Sequence, residues 1–162
     1  MKKVTILSLH LGYGGIENAV VTLANLLCTE YDVEILSVYR LYNEPVFELD
    51  KRVNVKYISN IKPNKKEMKF YLEKKNFNMF FKGISHSFKT GFVKYVKTAL
   101  ELRKLDSDVI ISTRTVHNVL VSKFAPKNIR KIAWEHNHHN NNSKYIKRLV
   151  ASCKNLNNLV LV

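Results

Sequence analysis

Short apolar runs and stretches of helical spacing alternate along the whole of this 162-residue chain. Runs with the composition of buried strands cover residues 4–11, 33–39, 53–59, 108–113, 130–134 and 156–162. Helices are predicted over residues 16–28, 88–102, 116–124 and 144–153. Because successive parallel strands are joined through helices packed on the sheet, this alternation predicts an α/β fold with a doubly wound parallel sheet, in one Rossmann-like domain of residues 1–162.

Composition narrows the class of protein. No run of about 18 apolar residues is present, so no membrane span is predicted. The apolar start contains polar residues and lacks a small-residue cleavage site, so it is interpreted as a first strand rather than a signal peptide. Cys28 and Cys153 have apolar neighbours in helical stretches, which indicates reduced core thiols in a cytoplasmic protein. The net charge of +14 predicts an anionic partner or surface.

Three polar segments follow predicted strands at positions where such sheets bind ligands. They are the glycine loop after the first strand, residues 114–117 after the fourth and residues 135–142 after the fifth. Ligands of doubly wound sheets bind at the carboxyl ends of the strands. We therefore expect these segments to converge on one crevice.

The glycine loop contains Gly12, Gly14 and Gly15 but does not complete a dinucleotide motif. Glu17 stands where G-x-G-x-x-G requires Gly or Ala, and the second strand ends without an acid to hold a ribose. A P-loop is excluded because no Gly-Lys-Ser/Thr follows. Two interpretations remain: a simple turn, or backbone amides exposed at a helix start where phosphate is favoured.

The histidine cluster after the fifth strand, His136, His138 and His139, is a candidate metal site beside Glu135. It lacks the H-E-x-x-H spacing, and neighbouring residues of an extended segment point to opposite sides, so one ion is not easily shared. No metal or other cofactor is expected. For His138 and His139 a solvated polar loop is the alternative.

Residues 62–104 concentrate positive charge and aromatic side chains, with twelve Lys/Arg against three acids. The preferred interpretation is attachment to an anionic membrane surface. The membrane-facing residues are predicted to be Lys74, Lys75, Phe77, Phe80, Phe81 and Lys82. Nucleic-acid binding and a merely solvated face are the alternatives. Nucleic acid is disfavoured because Phe88 and Phe92 fall on a helical stripe, with Val96, Ala99 and Leu102, that predicts burial in the core.

The segments GYGGIE after the first strand and WEHNHH at the fifth together resemble the amino-terminal domain of the family 4 glycosyltransferases. The resemblance covers essentially the whole chain. It implies one half of a GT-B architecture, in which this domain binds the acceptor and a carboxyl-terminal domain holds the nucleotide sugar. It also implies a retaining hexosyltransferase that needs no metal.

The resemblance assigns roles to individual residues. His136 matches the histidine that contacts the transferred sugar and is the candidate catalytic residue. Gly14 and Gly15 would approach the donor diphosphate and sugar, and Glu17 would orient the loop rather than transfer a proton. The substrate-binding residues expected at the crevice are Tyr13, Gly14, Gly15, Glu17, Arg114, His117, Glu135 and Asn137.

The paired glutamates of the family's donor domain are absent, and the last apolar strand, expected to be buried, runs to the final residue. We therefore expect a fragment that transfers nothing alone, since nothing here would stabilise the leaving diphosphate. The predicted function is acceptor binding, with a sugar or lipid-linked sugar as acceptor, in polysaccharide or glycolipid synthesis at the cytoplasmic face of the membrane. The alternative is a non-enzymatic basic module that binds a membrane surface or nucleic acid.

Overall fold

A computed structural model describes residues 1–63, 77–136 and 142–162. Its strands are β1 (Lys3–Ser8), β2 (Asp32–Tyr39), β3 (Asn54–Ser59), β4 (Val109–Ser112), β5 (Arg130–Glu135) and β6 (Asn158–Leu161). Its helices are α1 (Gly15–Leu27), α2 (Phe77–Phe92), α3 (Thr98–Arg103), α4 (Thr115–Phe124) and α5 (Ser143–Cys153), with a π-helical turn at Val93–Lys97 between α2 and α3. Each predicted strand and helix is present, although β1 ends three residues earlier than predicted and α2 begins well before residue 88.

The strands form one six-stranded parallel sheet in the order β3-β2-β1-β4-β5-β6, so the predicted doubly wound fold is confirmed. The chain runs outward from β1 to β3 and then returns to the other side of β1 at β4. Ile6 of β1 therefore lies in register between Ile35 of β2 and Ile111 of β4. This reversal between β1 and β4 is the topological switch point, where such sheets bind ligands.

Both faces of the central strands are buried, because neighbouring side chains point to opposite sides of a strand. On one face Ile6 packs with Val20 and Ala24 of α1. On the other face Leu7 packs with a second cluster that includes Val93, Ala99, Leu102, Leu120 and Val121. Burial on two sides explains why these strands have almost continuously apolar sequences. No helix in the described part of the chain is long and apolar enough to cross a bilayer.

The predicted burial of Phe88 and Phe92 is wrong, since Phe88 is 75% exposed and Phe92 is 54% exposed, and Val96 of the same stripe is 42% exposed. Ala99 and Leu102 of the same predicted stripe are buried, as expected. The π-helical turn at Val93–Lys97 lies between these two pairs. One extra residue in a turn rotates the helix surface by about 100°, so a stripe drawn at regular helical spacing cannot stay on one face through it.

The predicted burial of the last strand is also wrong. All four residues of β6 are exposed, because β6 pairs with β5 on one side only and is an edge strand among the described residues. On α1, the apolar Leu26 is likewise 67% exposed. Cys28 is a buried free thiol, as predicted, whereas the free Cys153 is only partly buried.

Candidate functional site

The carboxyl ends of β1, β4 and β5 bring the three predicted polar segments together beside the switch point. The loop after β1 is joined to the segment after β4 by an ion pair between Glu17 and Arg114, with 2.7 Å between Oε1 and Nη2. The segment after β4 is joined to the end of β5 by Thr115, whose hydroxyl donates to Glu135 Oε2 at 3.0 Å. The three segments therefore meet at the carboxyl ends of the strands, as expected.

The glycine loop is shaped by the side chain of Glu17. Gly14 precedes the first residue of α1, and its carbonyl accepts the hydrogen bond of Asn18 N–H at 3.0 Å. Glu17 folds back over this turn so closely that a Cβ on Gly14 would overlap its Oε2 atom. Gly15 differs, since a Cβ there would meet no atom within 4 Å. The loop thus needs glycine at position 14 for its own packing, and position 15 opens to space that a ligand can enter.

Glu17 is almost completely buried, at 3% exposure. Its carboxylate lies in the first turn of α1, where the partial positive charge of the helix start favours an anion. Arg114, which precedes α4, supplies the second compensating charge. The two contacts offset the free-energy cost of burying this carboxylate. Glu17 therefore fixes the loop against the start of α4.

His10 belongs to the same cluster, although sequence reasoning did not select it. Its Nδ1 accepts a hydrogen bond from Gly12 N–H at 3.3 Å and lies 3.6 Å from Glu17 Oε1. Burial lowers the pKa of His10, and Arg114 lowers it further, while Glu17 acts in the opposite direction. The imidazole is thus neutral near pH 7, with its proton on Nε2 when Nδ1 accepts. No signal in the sequence pointed to it, because the predicted first strand, residues 4–11, includes His10.

Glu135 and His136 occupy the end of β5. Glu135 is buried and accepts the hydrogen bond of the Thr115 hydroxyl, which joins the end of β5 to the start of α4. The ring of His136 packs against Trp134 at 4.2 Å between centroids. Its Nε2 is buried and has no hydrogen-bond partner within the described ranges.

Burial also lowers the pKa of His136, with Arg114 acting in the same direction and Glu135 and Glu17 opposing it. These influences place the imidazole among the charged groups of all three segments. A neutral histidine with an unsatisfied ring nitrogen can donate to or accept from a hydroxyl group.

The other predicted contact residues are in different surroundings. Tyr13 is 74% exposed at the tip of the loop and packs edge-on against Tyr42, with 6.0 Å between ring centroids. His117 is completely buried in α4, and burial together with Arg114 lowers its pKa to about 3. His117 thus lies within the packed layer rather than on the open surface of the crevice.

Several predicted residues fall beyond the described part of the chain. Asn137, His138, His139, Lys74 and Lys75 lie outside the described residues. Phe77, Phe80, Phe81 and Lys82 lie on α2, but their side chains are outside what the structure describes. Among the described residues, no group of three His, Cys, Asp or Glu side chains is arranged to hold a metal ion.

Comparison with known proteins gives one informative similarity. No family model matches the chain. The chain is 29% identical over 136 residues to an exopolysaccharide phosphotransferase of Streptomyces coelicolor. The match covers 76% of this chain but only 14% of that protein. The chain is therefore similar to a short part of a much longer enzyme whose name refers to exopolysaccharide.

Proposed function

We propose that this chain is the acceptor-side domain of a retaining, nucleotide-sugar-dependent glycosyltransferase that acts in polysaccharide or glycolipid assembly on the cytoplasmic side of the membrane. One observation carries the proposal: the open glycine at a helix start, the Glu17–Arg114 pair and the neutral His136 meet at the switch point of a parallel sheet. The similarity to an exopolysaccharide phosphotransferase supports the polysaccharide part of the proposal.

In this proposal the glycine loop lets a ligand come close to the backbone but adds little positive charge. Amide groups at the start of α1 favour a phosphate group, and the space at Gly15 lets backbone come close to it. Arg114 is already paired with Glu17, so little positive charge is left to stabilise a leaving diphosphate. A second domain is expected to contribute those cations, and the proposal requires no metal ion.

His136 acts on the sugar in this proposal. Its ring is held by Trp134 and remains uncharged, so it can form a hydrogen bond with a sugar hydroxyl without bringing a charge into the crevice. Glu17 and Arg114 act indirectly, since their contact fixes the loop that approaches the donor. The acceptor is a sugar or a lipid-linked sugar.

Sugar-phosphate transfer is the second candidate function, because the similar protein is named a phosphotransferase. The two reactions break different bonds of a nucleotide diphosphate sugar. Glycosyl transfer breaks the bond between the sugar carbon and the bridging oxygen, whereas sugar-phosphate transfer breaks a phosphorus–oxygen bond. In the full protein that carries this chain, an isotope label in the bridging oxygen would stay with the nucleotide product only after glycosyl transfer.

Backbone amide spectra of the 162-residue chain test the site itself, with uridine diphosphate and inorganic pyrophosphate as probes. We expect saturable shifts of the Gly14 and Gly15 amides, and no shift at Gly91, which lies on α2. Loss of those shifts in Gly15→Val, with the spectrum otherwise unchanged, would support the loop as the binding element. Shifts confined to the lysines of α2 would contradict the proposal, because they would indicate only non-specific anion binding.

A further inference from the structure

The outer side of α2, the π-helical turn and α3 carries an exposed apolar surface that the candidate site does not use. Its members are Phe88, Phe92, Tyr95, Val96 and Leu100, which are between 42% and 75% exposed. We call this set the outer apolar face. A shallow cavity of about 650 Å³ lies on it and is lined mainly by Ile61, Phe88, Phe92, Tyr95 and Val96. Large contiguous apolar patches of this kind are uncommon on isolated proteins and indicate an interaction surface.

The π-helical turn is what keeps these side chains outside. Val93 at the start of the turn is 1% exposed and belongs to the core, and the buried hydroxyl of Thr98 donates to Val93 O at 3.1 Å. This wider turn directs Val93, Ala99 and Leu102 inward while Phe92 and Val96 stay outside. Such turns occur frequently at functional sites. The exposure of the aromatic side chains is thus built into the backbone of this segment.

Lysines surround the outer apolar face. Lys89 and Lys97 are exposed within it, and Lys94 Nζ lies 5.5 Å from the centre of the Tyr95 ring. The nearest acid in the sequence, Glu101, is paired with Lys56 at 2.7 Å, so it does not neutralise these lysines. Apolar side chains flanked by unneutralised lysines are complementary to a surface whose outer layer is anionic and whose interior is apolar.

The same face lies near the edge of the sheet that holds the candidate site. Tyr39, the last residue of β2, donates a hydrogen bond from its hydroxyl to Thr90 O at 2.8 Å, which fixes α2 beside the carboxyl end of that strand. Ile61, two residues after β3, lines the cavity together with Phe88. A surface bound to the outer apolar face would therefore lie close to the crevice entrance.

We propose that the outer apolar face docks onto an anionic lipid bilayer, with Phe88 and Phe92 inserted at the interface and Lys89 and Lys97 facing lipid phosphates. Aliphatic members favour this occupant over nucleic acid: Val96 and Leu100 gain free energy from burial in hydrocarbon but have no ring on which a base could stack. Aromatic rings settle at membrane interfaces, and each nearby lysine strengthens binding to anionic lipid. This inference does not depend on the proposed glycosyltransferase function.

Vesicle flotation tests the proposal. At low salt we expect the chain to float with vesicles of phosphatidylcholine mixed with phosphatidylglycerol. We expect it not to float with vesicles of pure phosphatidylcholine. Lys89→Gln/Lys97→Gln should weaken binding by about tenfold or more, since each lysine contributes on the order of 1 kcal/mol near such a surface. The control Lys2→Gln/Lys51→Gln removes the same charge from exposed lysines near the amino ends of the strands. It should bind much more tightly than Lys89→Gln/Lys97→Gln.

A second pair of variants separates insertion from simple attraction between charges. Phe88→Ser/Phe92→Ser should lose most binding, whereas Leu26→Ser, which removes an equally exposed apolar side chain from α1 on the other face of the sheet, should bind normally. Thermal unfolding checks that each variant is folded. Equal binding by Phe88→Ser/Phe92→Ser and the parent would overturn the proposal, as would retention on duplex DNA with no retention on anionic vesicles.

Discussion

Glu17 and Arg114 are 97 positions apart in the chain, yet their side chains meet at 2.7 Å across the switch point of the sheet. Glu17 is nearly inaccessible, and Arg114 keeps 27% of its side-chain surface exposed. The contact links the loop after β1 to the start of α4. It therefore couples the stability of the fold to the geometry of the candidate site.

Removal of Arg114 should destabilise the fold because it leaves the Glu17 carboxylate buried with only the helix start to compensate it. Arg114→Ala should lower the free energy of unfolding by about 2–3 kcal/mol, somewhat less than for a fully buried pair because Arg114 is partly exposed. The exposed pair of Arg52 and Asp50 is the control, and Arg52→Ala should lower the free energy of unfolding much less than Arg114→Ala does. Urea unfolding measures both, and equal effects would contradict the structural importance of the Glu17 contact.

The two glycines at the start of α1 should respond oppositely to alanine. Gly14→Ala should destabilise the fold by about 1–3 kcal/mol, because the new methyl group overlaps Glu17 Oε2. Gly15→Ala should be neutral or slightly stabilising, since the methyl group enters open space and alanine favours the helix. In a Glu17→Ala background the cost of Gly14→Ala should shrink. A cost that does not depend on Glu17 would show that glycine is required by the backbone angle of Gly14, with φ at 158°, rather than by the contact with Glu17.

Stability should fall with acid because His117 is buried in its neutral form. Its folded-state pKa is about 3, well below the ordinary value of 6.5, so the unfolded chain binds a proton that the folded chain does not. The stabilisation is complete above pH ~6.5 and should be lost at about 1.4 kcal/mol per pH unit as pH falls towards ~3. His117→Gln should reduce this slope by about one proton. An unchanged slope in unfolding experiments between these pH values would contradict the burial of a neutral His117.

His136 should titrate below its ordinary value, because burial lowers its pKa. Proton NMR of the imidazole ring over a pH series measures this directly, and a midpoint above 6.5 would contradict the arrangement described at the end of β5. In an assay of the proposed glycosyltransferase activity, His136→Ala should reduce turnover by about 10²-fold or more if the ring contacts the reacting sugar. His86→Ala, on α2, is the matched control and should leave turnover unchanged.

The sequence pattern was sufficient to predict the sheet and the meeting of three segments. Central strands buried on both faces have continuous apolar runs, and parallel order places all their carboxyl ends on one edge. The ion pair between Glu17 and Arg114 could not be predicted, because one sequence contains no record of which distant residues meet. His10 was missed for a related reason: a histidine inside an apolar run has no distinguishing spacing.

The errors on exposure have a different origin. A helical stripe is drawn by assuming the same rotation for every residue, and the π-helical turn at Val93–Lys97 breaks that assumption. No proline or glycine inside the turn signals it in the sequence. The exposed β6 strand has the same apolar composition as a central strand. Composition shows that a segment is able to pack against other apolar residues, but it does not show whether such neighbours are present. Both errors therefore concern neighbours rather than secondary structure.

The position of Glu17 has a consequence for selectivity. Since its carboxylate already lies in the first turn of α1, a free phosphate arriving at Gly15 meets a helix start whose positive potential is partly cancelled. We expect small free anions to bind at this helix start only weakly. A ligand that also contacts His136 and a second protein surface would bind more tightly than a free anion. The glycine loop is therefore suited to bind ligands that make several weak contacts at once.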